Sequence, residues 1–123
     1  VSGWLNSQIF YTLEERKMKE IKRIGLYDLT CLFDMRQSFY GKARVEVFSD
    51  NSEILWSYST PVACFIKGKI IVRGQYSQTT TRHIKEFIRQ HNQSADNLKE
   101  ILKLYCKEDF KWSNFLQQRS IWY

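Results

Sequence analysis

Between Ala43 and Arg73 four short apolar runs follow one another, each parted from the next by residues that favour a change of direction. Ala43, Val45 and Val47 alternate with Arg44, Glu46 and Phe48, the period of two that sends successive side chains to opposite faces of a strand. Ser49-Asp50-Asn51-Ser52 is a turn cluster, and Ile54 to Tyr58 supplies a second strand. Pro61 has no N–H to give to a ladder, so it marks an edge, a bulge or a junction before the third run, Val62 to Ile66. Lys67-Gly68-Lys69 brings the chain round, with Gly68 where a positive φ is needed, and Ile70 to Arg73 returns as the fourth. The pattern predicts a four-stranded antiparallel meander.

After Gly74 the period changes from strand to helix. Thr79 or Thr80 can cap a helix running from about Thr80 to His91. In it Ile84, Phe87 and Ile88 share one face at i, i+3, i+4 spacing, and Arg82, Lys85 and Arg89 share the other. One face is expected to close the sheet and the other to be exposed, free to meet a partner.

The flanks read as helical. Val1 to Tyr11 carries Trp4, Leu5, Ile9, Phe10 and Tyr11, too apolar for a free tail. Thr12 and Glu15 match a capping box, which starts a helix at Leu13 for Gly25 to end. Leu26, Leu29, Leu32 and Phe33 fit another helical face, with a partly extended path as the alternative. Towards the C-terminus Ser94 caps a helix bearing Leu98, Ile101, Leu102 and Tyr105, and a last helical segment holds Phe110, Trp112, Phe115 and Leu116. The expected class is α+β, a single domain over residues 1–123, with a sheet and helix core at about 37–90 and helical flanks on both sides.

Composition supports a folded body, since the 123 residues are 43% hydrophobic and 15% aromatic. The formal charge of +6 favours an anionic partner and excludes an acidic mimic of DNA. Cys31, Cys64 and Cys106 are odd in number and widely spaced, which suits buried reduced thiols rather than a disulfide framework. No apolar run is long enough for a membrane span and no signal-peptide pattern is present, so a soluble, cytoplasmic protein without a membrane partner is expected.

Catalytic chemistry finds little support. His83 follows three threonines, but hydroxyls at a helix start bond to backbone N–H groups, and His83 sits at the edge of the apolar stripe; a packing or partner-contact role is expected. The cysteines and histidines lack the short spacings of a zinc site, and there is no phosphate loop or nucleophile elbow. The chain is therefore expected to be no enzyme and to need no metal or cofactor. Contact is better supported. From Lys67 to Arg89 the basic residues Lys67, Lys69, Arg73, Arg82, Lys85 and Arg89 stand against the single Glu86, and with Tyr76 available to stack on a base they form the candidate binding set. The terminal aromatics, Trp4, Phe10 and Tyr11 at one end and Trp112, Trp122 and Tyr123 at the other, either cover the core or form a protein interface.

Three stretches carry a resemblance: Ser38-Phe39-Tyr40-Gly41-Lys42-Ala43; Leu55 to Ala63 around Ser57-Tyr58-Ser59-Thr60; and Tyr76 to Phe87 with its Thr79-Thr80-Thr81-Arg82-His83 core. Over residues 37–90 the chain resembles a family of small uncharacterised proteins encoded by bacteriophages and mobile elements of bacteria. The resemblance implies a phage-like origin and a role in the bacterial host cell. By analogy with small phage accessory proteins, the partner expected is a host defence protein or its nucleic-acid complex, with inhibition of a CRISPR nuclease or a similar system as the outcome. A nucleic-acid-binding regulator that contacts DNA or RNA directly through the basic helix face is the alternative. Oligomeric state is left open.

Overall fold

The alternation between Ala43 and Val72 is realised as strands in a computed structural model that describes residues 21–123. The aromatic segment Val1 to Tyr11 and the capping box at Thr12 and Glu15 lie outside the described residues. Five strands, β1 Arg23–Asp28, β2 Ala43–Phe48, β3 Glu53–Ser57, β4 Thr60–Ile66 and β5 Lys69–Val72, form one antiparallel sheet in the order of the chain. Three helices follow: α1 Gln78–Gln90, α2 Leu98–Tyr105 and α3 Trp112–Gln117. The class is α+β.

The sheet has one strand more than the sequence predicts. Gly25, expected to end a helix, lies inside β1 opposite Val47, and Leu26 and Tyr27 pair with Glu46 and Val45. Hydrogen bonding to the free edge of β2 overrides the local helical spacing, since a β-bridge satisfies the same N–H and C=O groups. Nor is there a helix beyond Asp28. Residues 32–37 form a run of bends, and of the expected helical face only Leu29 is buried. The Phe33 and Asp34 N–H groups bond instead to the side chain of Glu86 on α1.

Both faces of the sheet are covered, where the sequence predicts one. Ala43, Val45, Leu55, Ala63 and Val72 meet Ile84, Phe87 and Ile88 of α1 and Ile101 and Tyr105 of α2. On the reverse, Phe48, Ile54, Cys64 and Ile71 meet Phe115 and Leu116 of α3. Two-sided burial explains why Val62-Ala63-Cys64 and Ile70-Ile71-Val72 are unbroken apolar runs rather than alternating ones. Cys64 is fully buried, whereas Cys31 and Cys106 are only partly so.

Turn and cap chemistry agrees with the sequence at the hairpins and departs from it at the helix starts. Gly68 has φ +77° and Lys67 φ +52°, the paired left-handed geometry of a tight hairpin. The ladder between β3 and β4 shifts register at Trp56, which is where Pro61 falls. Ser77 caps α1, its hydroxyl accepting from the Thr80 N–H at 3.3 Å, in place of the expected Thr79 or Thr80. Asn97, not Ser94, caps α2 through a 2.9 Å bond from the Glu100 N–H, while the Ser94 carbonyl accepts from the Tyr105 hydroxyl. The threonines and Ser94 lie where the backbone has already found a nearer or better-placed oxygen.

A buried arginine ties the C-terminal segment to the sheet. The Arg119 guanidinium donates to Asp50 Oδ2 at 2.7 Å, to Ser52 Oγ at 3.1 Å and to the Phe115 carbonyl at 2.9 Å, and lies 3.8 Å from the Phe115 ring centroid. Burial alone would raise the Asp50 carboxyl, but hydrogen bonds from Ser52 and the Arg119 charge outweigh it and hold the pKa below its ordinary 3.8. Replacing Arg119 by Met should cost about 2–3 kcal/mol in urea unfolding at neutral pH. Because the folded pKa of Asp50 is depressed, its contribution is present above 3.8 and fades as pH falls further. Wild type and Asp50→Asn should therefore differ in Tm at pH 7 and converge in strong acid.

Candidate functional site

The buried stripe of α1 fixes what the rest of the helix can reach. With Ile84, Phe87 and Ile88 against the sheet, Glu86 points sideways into the bends of residues 32–37 and is only 2% exposed. Its Oε1 accepts from the Phe33 and Asp34 N–H groups at 2.9 and 2.7 Å. Its Oε2 accepts from Gln90 Nε2 at 2.7 Å, and the same nitrogen donates to the Thr30 carbonyl. Arg82 adds a fork to Asp34, with Nε 3.2 Å from Oδ2 and Nη2 3.3 Å from Oδ1. Burial would raise the Asp34 carboxyl, but the Arg36 N–H bond and the Arg82 charge prevail and lower its pKa.

This clamp holds a loop whose apolar side chains face outward. Leu32 is 66%, Phe33 54% and Met35 95% exposed. Beside them runs a groove of about 650 Å³, bounded by the loop, the outer side of α1 and the approach to α2 from Ala95 to Leu98. Its walls carry Arg82, Lys85 and Arg89 but equally Asp34, Glu86 and Asp96. Cations and carboxylates thus balance, and the Arg89 guanidinium lies 5.1 Å from the Phe33 ring centroid.

Of the residues singled out from the sequence, Tyr76, Arg82, Lys85 and Arg89 come together in this groove. Arg82 and Lys85, expected to be exposed, are half-buried, and Tyr76 packs part of its ring against the core. Lys67 and Lys69 lie elsewhere, on a second cavity of about 720 Å³ shared with α2 and residues 107–110. Arg73 lines neither cavity; it donates to the Pro61 carbonyl at 3.2 Å and lies over the Tyr123 ring. The basic set is therefore split between separate places. Sequence reasoning missed Glu86 and the loop it holds. The available signal was a lone acid in a basic helix, followed by a glutamine one turn on.

His83 is buried, with Nδ1 2.8 Å from Ser57 Oγ, and that hydroxyl is 2.9 Å from Thr80 Oγ1. Burial lowers its pKa, so the imidazole is neutral near pH 7. Serine and histidine are paired here as in nucleophilic sites, yet both are at most 2% exposed and enclosed by Phe39 and Tyr58. The pair orders the join between β3 and α1. Among the described residues no group of three or more His, Cys, Asp and Glu is gathered to hold a metal. No described helix is long and apolar enough to cross a membrane.

Two outcomes follow from this geometry. Glu86→Ala strips the acceptor from two loop N–H groups and should lower stability by about 2–3 kcal/mol, with faster hydrogen exchange at Phe33 and Asp34 than at the β3 amides. A buried neutral histidine has a folded pKa below its unfolded 6.5, so its stabilisation is complete above that value and is lost as pH falls through it. Thermal melts from pH 7.5 to pH 5 should show a fall that His83→Gln reduces.

Residues 27–103 match a family of unknown function, DUF8033, and the chain belongs to it. The matched region includes the whole groove, the Glu86 clamp and His83, and ends before α3. No curated protein and no solved structure matches the chain.

Proposed function

We propose that this chain is a small non-catalytic accessory protein of phage type that binds a host protein in the bacterial cytoplasm, with inhibition of a CRISPR or other nucleic-acid-dependent defence system as its role. One observation carries the binding reading: the loop 30–36, clamped by buried Glu86, presents Leu32, Phe33 and Met35 to solvent beside a groove. Exposed apolar side chains on a rigidly held backbone are what protein interfaces use as anchors, because little entropy is lost when the partner docks. The charge-balanced walls of the groove suit a mixed polar and apolar protein surface better than a run of phosphates. The phage assignment is supported by the resemblance of the three stretches over residues 37–90, and the defence role by analogy with small phage accessory proteins.

The second reading is a nucleic-acid-binding regulator that uses Arg82, Lys85 and Arg89, supported by the net charge of +6. Salt separates the two, since phosphate contacts weaken steeply with ionic strength while an apolar interface tolerates a modest rise.

The test is capture from a bacterial lysate with and without nuclease, followed by titration of the purified target. A target that survives nuclease, binds at equal stoichiometry and loses about a hundredfold in affinity when Leu32, Phe33 and Met35 are all changed to Ser is the expected result. Affinity lost instead on changing Arg82, Lys85 and Arg89 to Gln, with a steep salt dependence, would transfer the function to nucleic acid. Turnover of a target at amounts of protein far below equimolar would end the non-catalytic reading.

A further inference from the structure

The groove leaves two of the sequence stretches without a role, and the fold gathers them at one corner. Ala43 pairs with Ser57, so the turn before β2 and the turn after β3 lie at the same end of the sheet. The Tyr58 N–H donates to the Lys42 carbonyl at 2.7 Å, tying the two turns together. Beneath them sits the buried chain of Ser57, Thr80 and His83, with the Phe39 ring edge-on to His83 at 4.6 Å. Residues from three separate stretches thus build one base.

Aromatic and basic groups stand on that base. Tyr40 is 75% and Tyr58 53% exposed, and both have left-handed φ, 54° and 58°. Bulky residues are uncommon there and glycine would satisfy the backbone at either position, so turn geometry does not account for the choice of tyrosine. Burial does not account for it either. Lys42 Nζ lies 5.8 Å from the Tyr58 ring centroid; Arg44 Nε donates to the Gly41 carbonyl and stands 4.0 Å from Asp28 Oδ1 in an exposed ion pair that a phosphate can displace. Tyr58 and Arg44 also line a shallow cavity of about 280 Å³ with Trp56, which adds an aromatic wall, and with Glu46, which accepts from the Trp56 indole and pairs with Arg23.

The geometry points to a platform for single-stranded nucleic acid at this corner, with bases stacked on Tyr40 and Tyr58 and phosphates held by Lys42 and Arg44. Every base has a flat π face, so exposed tyrosines bind a single strand without reading its sequence. A duplex keeps its bases stacked on one another and offers the rings little. The two turns are already bonded together, so the platform needs little ordering when a strand binds. Tyr40, Lys42 and Tyr58 do not line the groove, and the inference is independent of the reading given to that groove.

Fluorescence anisotropy of a labelled oligothymidylate with the full chain tests it, beside a duplex of equal length. Tyr40→Gly removes the ring and relaxes the backbone, so its Tm should hold or rise while affinity for the single strand falls about fivefold or more. Tyr58→Gly should act alike, Tyr58→Phe should retain binding within about twofold, and Lys42→Gln should flatten the salt dependence. Affinity lost on changing Arg82, Lys85 and Arg89 to Gln while Tyr40→Gly is silent would place the strand in the groove and not at this corner. No binding of the oligonucleotide, equal binding of the duplex, or affinity indifferent to Tyr40→Gly would overturn the proposal; if Tyr58→Gly fails to fold, Tyr40→Gly still decides.

Discussion

Burial of Ile84, Phe87 and Ile88 against the sheet fixes the rotation of α1, and most other features follow from that rotation. At roughly 100° per residue, a helix with that stripe inward must place His83, Glu86 and Gln90 along one flank and Arg82, Lys85 and Arg89 further round. The flank is neither core nor surface. It is enclosed by the turn before β2 and the bends after β1, so each polar group on it needs a partner, and each finds one. No buried side-chain nitrogen or oxygen among the described residues is left unpaired. A helix often described as two-faced therefore has three kinds of surface, and the intermediate one connects it to the rest of the chain.

The central sheet and α1 were legible because their signals are local. Alternation, a glycine at a tight turn and an i, i+3, i+4 stripe each declare themselves within a few residues, and Val45, Gly68 and Ile84 behave as their neighbours suggest. The segment before β2 was not legible for the opposite reason. Leu26, Leu29, Leu32 and Phe33 have helical spacing, yet β1 is stabilised by pairing to residues some twenty positions away and the bends by a carboxylate still further off. Such long-range partners leave no periodic trace. Helix caps failed more narrowly, since Ser77, Thr79 and Thr80 are all competent oxygens and only backbone direction chooses among them.

The candidate site was half legible. Charge counting singled out the outer face of α1, and Tyr76, Arg82, Lys85 and Arg89 do share a groove. Counting could not show that Asp34 neutralises Arg82, or that the hairpin lysines belong to another cavity. A run of basic residues in sequence becomes a basic surface only if the fold brings no acid to it. Here Asp34 and Asp96 arrive from outside the run.

A sheet buried on both faces is shared property, and its two covers have different standing. Ala63 and Val72 look towards α1 and α2, while Cys64 and Ile71 look towards α3. The family match ends at residue 103 and so takes in α1 and most of α2 but none of α3. Any relative reduced to the matched stretch would hold the counterparts of Phe48, Ile54 and Ile71 bare to water, a penalty that no adjustment within the stretch removes. Such a relative must bring its own roof for that face, whether a different tail, another domain or a second subunit. The reverse side of this sheet thus owes its cover to residues beyond the matched stretch, Phe115 and Leu116 among them.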